Sequence, residues 1–100
     1  MQEKIIEKVV DDIVEDCKPL KVILISRKFN ISNELISFKL CVIVNDVKSV
    51  GELEGELYMH TDCSLPFDIL LYNKSEWDIL IEDEGTFAHK VYQSGVVLYE

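Results

Sequence analysis

The stretch Lys21-Val-Ile-Leu-Ile-Ser26, followed by Arg27 to Ile36 and then by Ser37-Phe-Lys-Leu-Cys-Val-Ile-Val44, decides the fold. Its two apolar runs are rich in Val, Ile and Leu and are too short for independent helices, so both read as buried strands. The second run alternates. Phe38, Leu40, Val42 and Val44 fall on one face, with Ser37, Lys39, Cys41 and Ile43 on the other. The ten residues between the runs, with their Ser, Arg, Lys and Asn, read as a loop at the mouth of a sheet. Small α/β proteins place chemistry there.

Upstream, Ile5, Ile6, Val9, Val10, Ile13, Val14 and Cys17 recur at the spacing that lines one face of a helix, predicted over residues 2–17. Pro19 stops it, and Lys18 places a cation at its C-terminal end. Downstream, Asn45-Asp46 reads as a turn. Residues 47–61 read as a helix on the spacing of Val50, Leu53, Leu57 and Tyr58, despite Gly51 and Gly55. Each glycine costs about 1 kcal/mol against Ala in a helix, and its small size suits a close approach to the sheet.

Pro66 to Tyr72 is a third strand. A helix follows, with Ser75 favoured as its cap over the rest of Asn73 to Ser75 and with Trp77, Leu80 and Ile81 inward. The run Glu82-Asp83-Glu84 reads as a solvated end. Thr86 caps a further short helix with Phe87, Val91 and Tyr92 inward, Gly95 ends it, and Val96 to Tyr99 is a last strand. The order predicts one α/β (α+β) domain over residues 1–100, a small mixed sheet with helices packed on it.

Composition narrows the function. The chain has 100 residues, a net charge of −9 and 48% hydrophobic residues. That acidity argues against a nucleic-acid partner, since phosphate binding needs clustered Lys and Arg. No apolar run reaches the roughly 18 residues that a bilayer span needs, so no membrane role is expected. The first residues, Met-Gln-Glu-Lys-Ile-Ile-Glu-Lys, mix acids with bases and do not read as a signal peptide. Cys17, Cys41 and Cys63 are odd in number and widely spaced, which suits thiols used as small hydrophobes in a reducing, cytoplasmic setting.

Taken together, these landmarks resemble the minimal nucleotidyltransferase domain of the DNA polymerase beta-like superfamily. In that family a strand ends in Gly-Ser-Arg-x-x-Gly, an Asp-x-Asp pair follows on the next strand, and a third Asp lies on a later one. Leu24-Ile25-Ser26-Arg27-Lys28 falls at the first position, Ser37-Phe38-Lys39-Leu40 at the acid pair and Phe67-Asp68-Ile69-Leu70 at the third acid. Gly95-Val-Val-Leu-Tyr-Glu100 resembles the closing phrase of many small members.

The departures carry the functional expectation. Ile25 stands where the family's glycine lets the backbone approach nucleotide phosphates, and Asn30 stands at the second glycine. Ser37 and Lys39 replace the carboxylates that hold two Mg²⁺ ions for in-line phosphoryl displacement. A hydroxyl is a weak ligand, and an ammonium repels the ion. The resemblance therefore implies that Ser26, Arg27, Ser37, Lys39 and Asp68 form a vestigial nucleotide cleft, with no intact catalytic set and no metal or other cofactor. Lys39 is expected to sit where a metal would and to neutralise Asp68.

The resemblance implies a pseudoenzyme acting as a binding or regulatory module. It also implies an antitoxin-like role, with a small helical toxin-like protein as partner, or self-association. The alternative is an active transferase that moves a nucleoside monophosphate to a protein or small molecule, with Mg²⁺ and ATP. A third class is an unrelated α/β domain, which would have another strand order and no Ser26–Lys39–Asp68 cluster.

Blander readings stand beside these. Ser26 and Arg27 are either a phosphate contact or ordinary strand-end residues. His60-Thr-Asp-Cys63 offers at most three metal ligands and reads as a surface turn. A Cys–His nucleophilic pair has no activating pattern. Tyr58, Met59, Tyr72, Tyr92 and Tyr99 are interface candidates.

Overall fold

The computed structural model describes residues 3–100. Eight elements follow in order: α1 (Glu3–Cys17), β1 (Lys21–Phe29), β2 (Leu35–Val44), α2 (Val50–His60), β3 (Phe67–Asn73), α3 (Lys74–Leu80), α4 (Phe87–Ser94) and β4 (Val96–Tyr99). The four strands make one sheet in the order β3-β2-β1-β4. β1 runs antiparallel to both β2 and β4, and β2 runs parallel to β3, so the sheet is mixed. The parallel pair is connected through α2, as a parallel connection requires a crossover. The fold is α/β, with helices packed on a small mixed sheet.

The alternation along β2 divides the core into two clusters, one on each face of the sheet. Phe38, Leu40, Val42 and Val44 join Val22, Ile69 and Leu71 beneath the apolar stripe of α1 (Ile6, Val9, Val10, Ile13) and Leu57 of α2. Cys41 and Ile43 join Ile23 on the other face, under Trp77 of α3 and Ala88 and Val91 of α4. A strand buried on both faces reads as a near-continuous apolar run, as 40–44 does.

Several element ends differ from the sequence reading. The helix predicted from residue 2 is described from Glu3, and Gln2 lies outside the described residues. Lys18 takes a left-handed conformation (φ 48°) as the chain leaves α1. The predicted loop from Arg27 to Ile36 is mostly a β-ribbon, because β1 continues to Phe29 and β2 begins at Leu35. Asn30 makes the tight return. Its side-chain oxygen accepts from the backbone N–H groups of Ser32 and Glu34, both at 2.9 Å, and Asn33 supplies the left-handed residue (φ 63°).

Helix α2 forms where predicted, capped by the Ser49 hydroxyl, which accepts from Glu52 N–H. Its glycines do not serve close packing. A Cβ on Gly51 or Gly55 would meet nothing within 4 Å. Ser75 is not the cap of α3; Asn73 holds that position, and Ser75 lies in the first turn. There its N–H and hydroxyl both donate to the Asp46 carboxylate, at 3.1 and 2.7 Å. Helix α4 starts at the Thr86 cap as expected, but its inward residues are Ala88 and Val91. Phe87 and Tyr92 are exposed.

Candidate functional site

The second strand face is covered only in part. Helices α3 and α4, of 7 and 8 residues, cover Cys41 and Ile43. Lys39, two residues before Cys41 on the same face, lies beyond their cover and is exposed. This uncovered end is where four of the five sequence-predicted residues converge, all but Arg27.

The strand register aligns three of them. Ser26 is paired with Lys39 across β1 and β2, and Lys39 with Asp68 across β2 and β3. They form one row over three adjacent strands. Ser37 is paired with Lys28 two rows further along the β1–β2 ribbon. Ser26, Lys28, Ser37, Lys39, Phe67 and Asp68, with Phe38 and Pro66, line a cleft of about 420 Å³.

A β-bulge builds the row. The β1–β2 register shifts between Leu24 and Ser26, so Ile25 is the extra residue. Leu24 stays opposite Leu40 in the first core cluster, while Ser26 moves opposite Lys39. Simple alternation would have put Ser26 on the face of Leu24. Bulges re-aim side chains in this way. Ile25 itself packs against the second core cluster.

The same bulge sends Arg27 elsewhere. Arg27 is paired with Phe38, whose side chain belongs to the α1-facing cluster. It lines a groove formed with Ile6, Val10 and Leu98, with its guanidinium carbon 5.6 Å from the centre of the Phe29 ring. The structure thus gathers Ser26, Ser37, Lys39 and Asp68 around one cleft and places Arg27 in another. Lys28 and the aromatic wall of Phe67 are cleft residues that the sequence reading missed. Lys28 was legible only once the loop was known to be strand, since its register with Ser37 puts it there. Phe67 stacks on Phe38 with ring centres 5.6 Å apart and planes 11° from parallel. Tyr58 lies against Phe67 from α2, and its hydroxyl accepts from Ile69 N–H at 2.7 Å.

The charges in the cleft are two ammoniums, Lys28 and Lys39, against one carboxylate, Asp68. All three are exposed. Lys39 and Asp68 are register partners, yet among the described residues no ion pair joins them. The predicted direct neutralisation is therefore not formed. The two charges share the cleft through solvent, where such pairs contribute little.

The donor set does not fit a two-metal site. One carboxylate beside two ammoniums and two hydroxyls gives a hard divalent ion too few anionic oxygens and adds repulsion. Among the described residues no group of three His, Cys, Asp or Glu side chains is placed to share a metal ion. His60 is engaged elsewhere, with Nδ1 at 3.0 and 3.2 Å from the two carboxylate oxygens of Asp16 on α1. His89 donates from Nδ1 to the Ile81 carbonyl at 2.7 Å. Neither histidine bonds a thiol among the described residues. Burial pushes the Cys17 thiol up to about 11 and Cys41 up to about 12, so both stay protonated at neutral pH.

Comparison of the chain with protein-family models, with curated proteins and with solved structures finds no match.

Proposed function

We propose that the chain is a nucleotidyltransferase-like domain that has lost metal-dependent nucleotidyl transfer and acts in the cytoplasm as a binding or regulatory module with a protein partner, in the manner of an antitoxin. One observation carries this reading. Ser26, Lys39 and Asp68 form a single row across three adjacent strands, in the places that the resemblance gives to the phosphate-binding serine, one metal-binding carboxylate and the third carboxylate. On this reading the row descends from a two-metal site, and its chemistry is that of a site without metals. Lys39 brings a positive charge into the cleft that Asp68 lines, and Ile25 puts a branched side chain where the resemblance would have a glycine.

The test is a calorimetric titration with Mg²⁺ and ATP, separately and together. The natural chain is expected to give no heat with Mg²⁺ and no metal-dependent binding of ATP. Restoring both acids, Ser37→Asp with Lys39→Asp, is expected to create Mg²⁺ binding, because three carboxylates then converge on one cleft. Micromolar, metal-dependent ATP binding by the natural chain would overturn the reading.

A further inference from the structure

Charge is unevenly placed along the chain. From Lys21 to Val44 the acids and bases are Lys21, Arg27, Lys28, Glu34 and Lys39, four cations against one anion, in a chain of net charge −9. The β1–β2 ribbon is thus a basic segment of an acidic molecule. Two of its cations, Lys28 and Lys39, line the cleft with Ser26, Ser37 and Asp68. Among the described residues no side-chain hydrogen bond or ion pair engages any of these five.

The register sets four of them in a fixed pattern. Ser26 is paired with Lys39 and Lys28 with Ser37, two rows apart on one face of the sheet. Their side chains stand at the corners of a quadrilateral, with hydroxyls on one diagonal and ammoniums on the other. With strands about 4.8 Å apart and a rise of about 3.4 Å per residue, the diagonal from Lys28 to Lys39 is about 8 Å at the backbone. Two lysine side chains span that interval, so both ammoniums can reach a group held over the centre. Asp68 lies outside the quadrilateral, on the β3 side of Lys39.

We propose that Ser26, Lys28, Ser37 and Lys39 form a metal-free binding site for a phosphate monoester. Two ammoniums with no anion between them call for a doubly charged ligand, and four donors at four corners call for at least three acceptor oxygens. A carboxylate has one charge and two oxygens. A phosphate monoester is close to a dianion at neutral pH and presents three strong acceptor oxygens, and charge-assisted bonds from lysine are among the stronger contacts available to it. A groove of about 230 Å³ shares Lys39 and Asp68 with the cleft and is walled by Ile25, Leu70 and Phe87. It gives the organic side of the ester an apolar place to lie. The monoester is supplied either by a phosphorylated side chain of the protein partner or by a free phosphate ester. The inference rests on the reading of this cleft as one without metals. The metal and ATP titration tests that reading, and the following experiment, run with a chelator and without ATP, tests the anion site alone.

The probes are a capped leucine–phosphoserine–leucine peptide and glycerol phosphate, with a capped leucine–glutamate–leucine peptide as control. Each is titrated into the full chain and followed by amide chemical shifts. Both phosphates are expected to give saturable shifts at residues 26–28 and 37–39, and the glutamate peptide to bind at least about tenfold more weakly. Tighter binding of the peptide would identify a phosphorylated partner as the source, and tighter binding of glycerol phosphate a free ester; either supports the site. Lys28→Gln combined with Lys39→Gln, both at exposed positions, is expected to weaken phosphate binding by at least about tenfold. Asp68→Asn is expected to strengthen it by about threefold, since it lifts a repulsion that solvent only partly screens; at a metal site the same change would weaken binding. No saturable shift at residues 26–28 and 37–39, equal affinity for the glutamate peptide, binding unaltered in the double lysine variant, or binding weakened by Asp68→Asn would each overturn the proposal.

Discussion

Gly95 is the position where one atom decides the most. It closes α4, donating its N–H to the Val91 carbonyl at 2.8 Å, and the chain turns at once into β4. Its φ of −73° is open to any residue, so conformational freedom is not the reason for glycine here. Space is. A Cβ would collide with Ile23 Cγ2 and stand 2.6 Å from the Val91 carbonyl oxygen, and a helix carbonyl cannot swing aside. Gly95→Ala is expected to destabilise the chain by about 1–3 kcal/mol, the range for overpacking, read as a fall in the urea midpoint at unchanged slope. A midpoint like that of the natural chain would mean that the α4–β4 corner shifts freely. Gly55 gives the opposite expectation. It lies within α2 with open space where a Cβ would go. Gly55→Ala should stabilise by about 0.5–1 kcal/mol through the helix backbone, raising Tm by a few degrees.

At the scale of elements, the tether between the end of β2 and the start of α3 is the clearest case of a cap supplied from a distance. Asn73, at the cap position, makes no side-chain cap bond. Its amide spans to Val47 instead, accepting from the N–H at 3.0 Å and donating to the carbonyl at 3.3 Å. Asp46 takes over the capping role by accepting twice from Ser75. The Ser75 hydroxyl, then its N–H, hold the Asp46 carboxyl below the usual carboxylate range. A lowered folded-state value stabilises above the unfolded pKa, about 4, and that contribution is lost as pH falls through the folded value. Asp46→Ala should therefore melt below the natural chain at pH 7, and the gap should narrow near pH 3. A gap that persists at low pH would show that the carboxylate charge is not what Ser75 binds.

The elements also show what the sequence could and could not reveal. The alternation of β2 and the stripe of α1 are properties of single segments, and both were legible: Phe38, Leu40 and Val42 lie where periodicity puts them. The continuation of β1 through Arg27, Lys28 and Phe29 was not, because its polar residues pair with a neighbouring strand and follow that strand rather than an apolar pattern of their own. Ser26 is the sharpest instance. Its side is set by an extra residue, Ile25, that exists only relative to β2. The candidate cleft was legible as residue types at a spacing, and Ser26, Ser37, Lys39 and Asp68 do meet. Arg27 follows the bulge to the other face. Tyr92 and Phe87 on α4 differ from expectation by helix phase, since the buried side of so short a helix is chosen by what it packs on.

For the molecule as a whole, the sheet combines neighbours that are near in sequence with neighbours that are far. β1 and β2 are joined by a tight ribbon, while Val22 of β1 is paired with Tyr99 of β4. Among the described residues no helix is long and apolar enough to cross a membrane. The two faces are closed unequally, α1 having 15 residues against 7 and 8 in the two helices on the opposite side.

The placement of β4 also bears on the order of assembly. Closing the ribbon costs little chain entropy, whereas bringing Val96 to Tyr99 back to β1 closes a loop through most of the chain. The ribbon is therefore expected to form first and β4 last, an order that folding and unfolding rates of variants in the two segments would check. With a single neighbouring strand, β4 is also expected to be the first strand to depart. Its opening leaves the rest of the sheet standing, and the core loses its seam before it loses its centre.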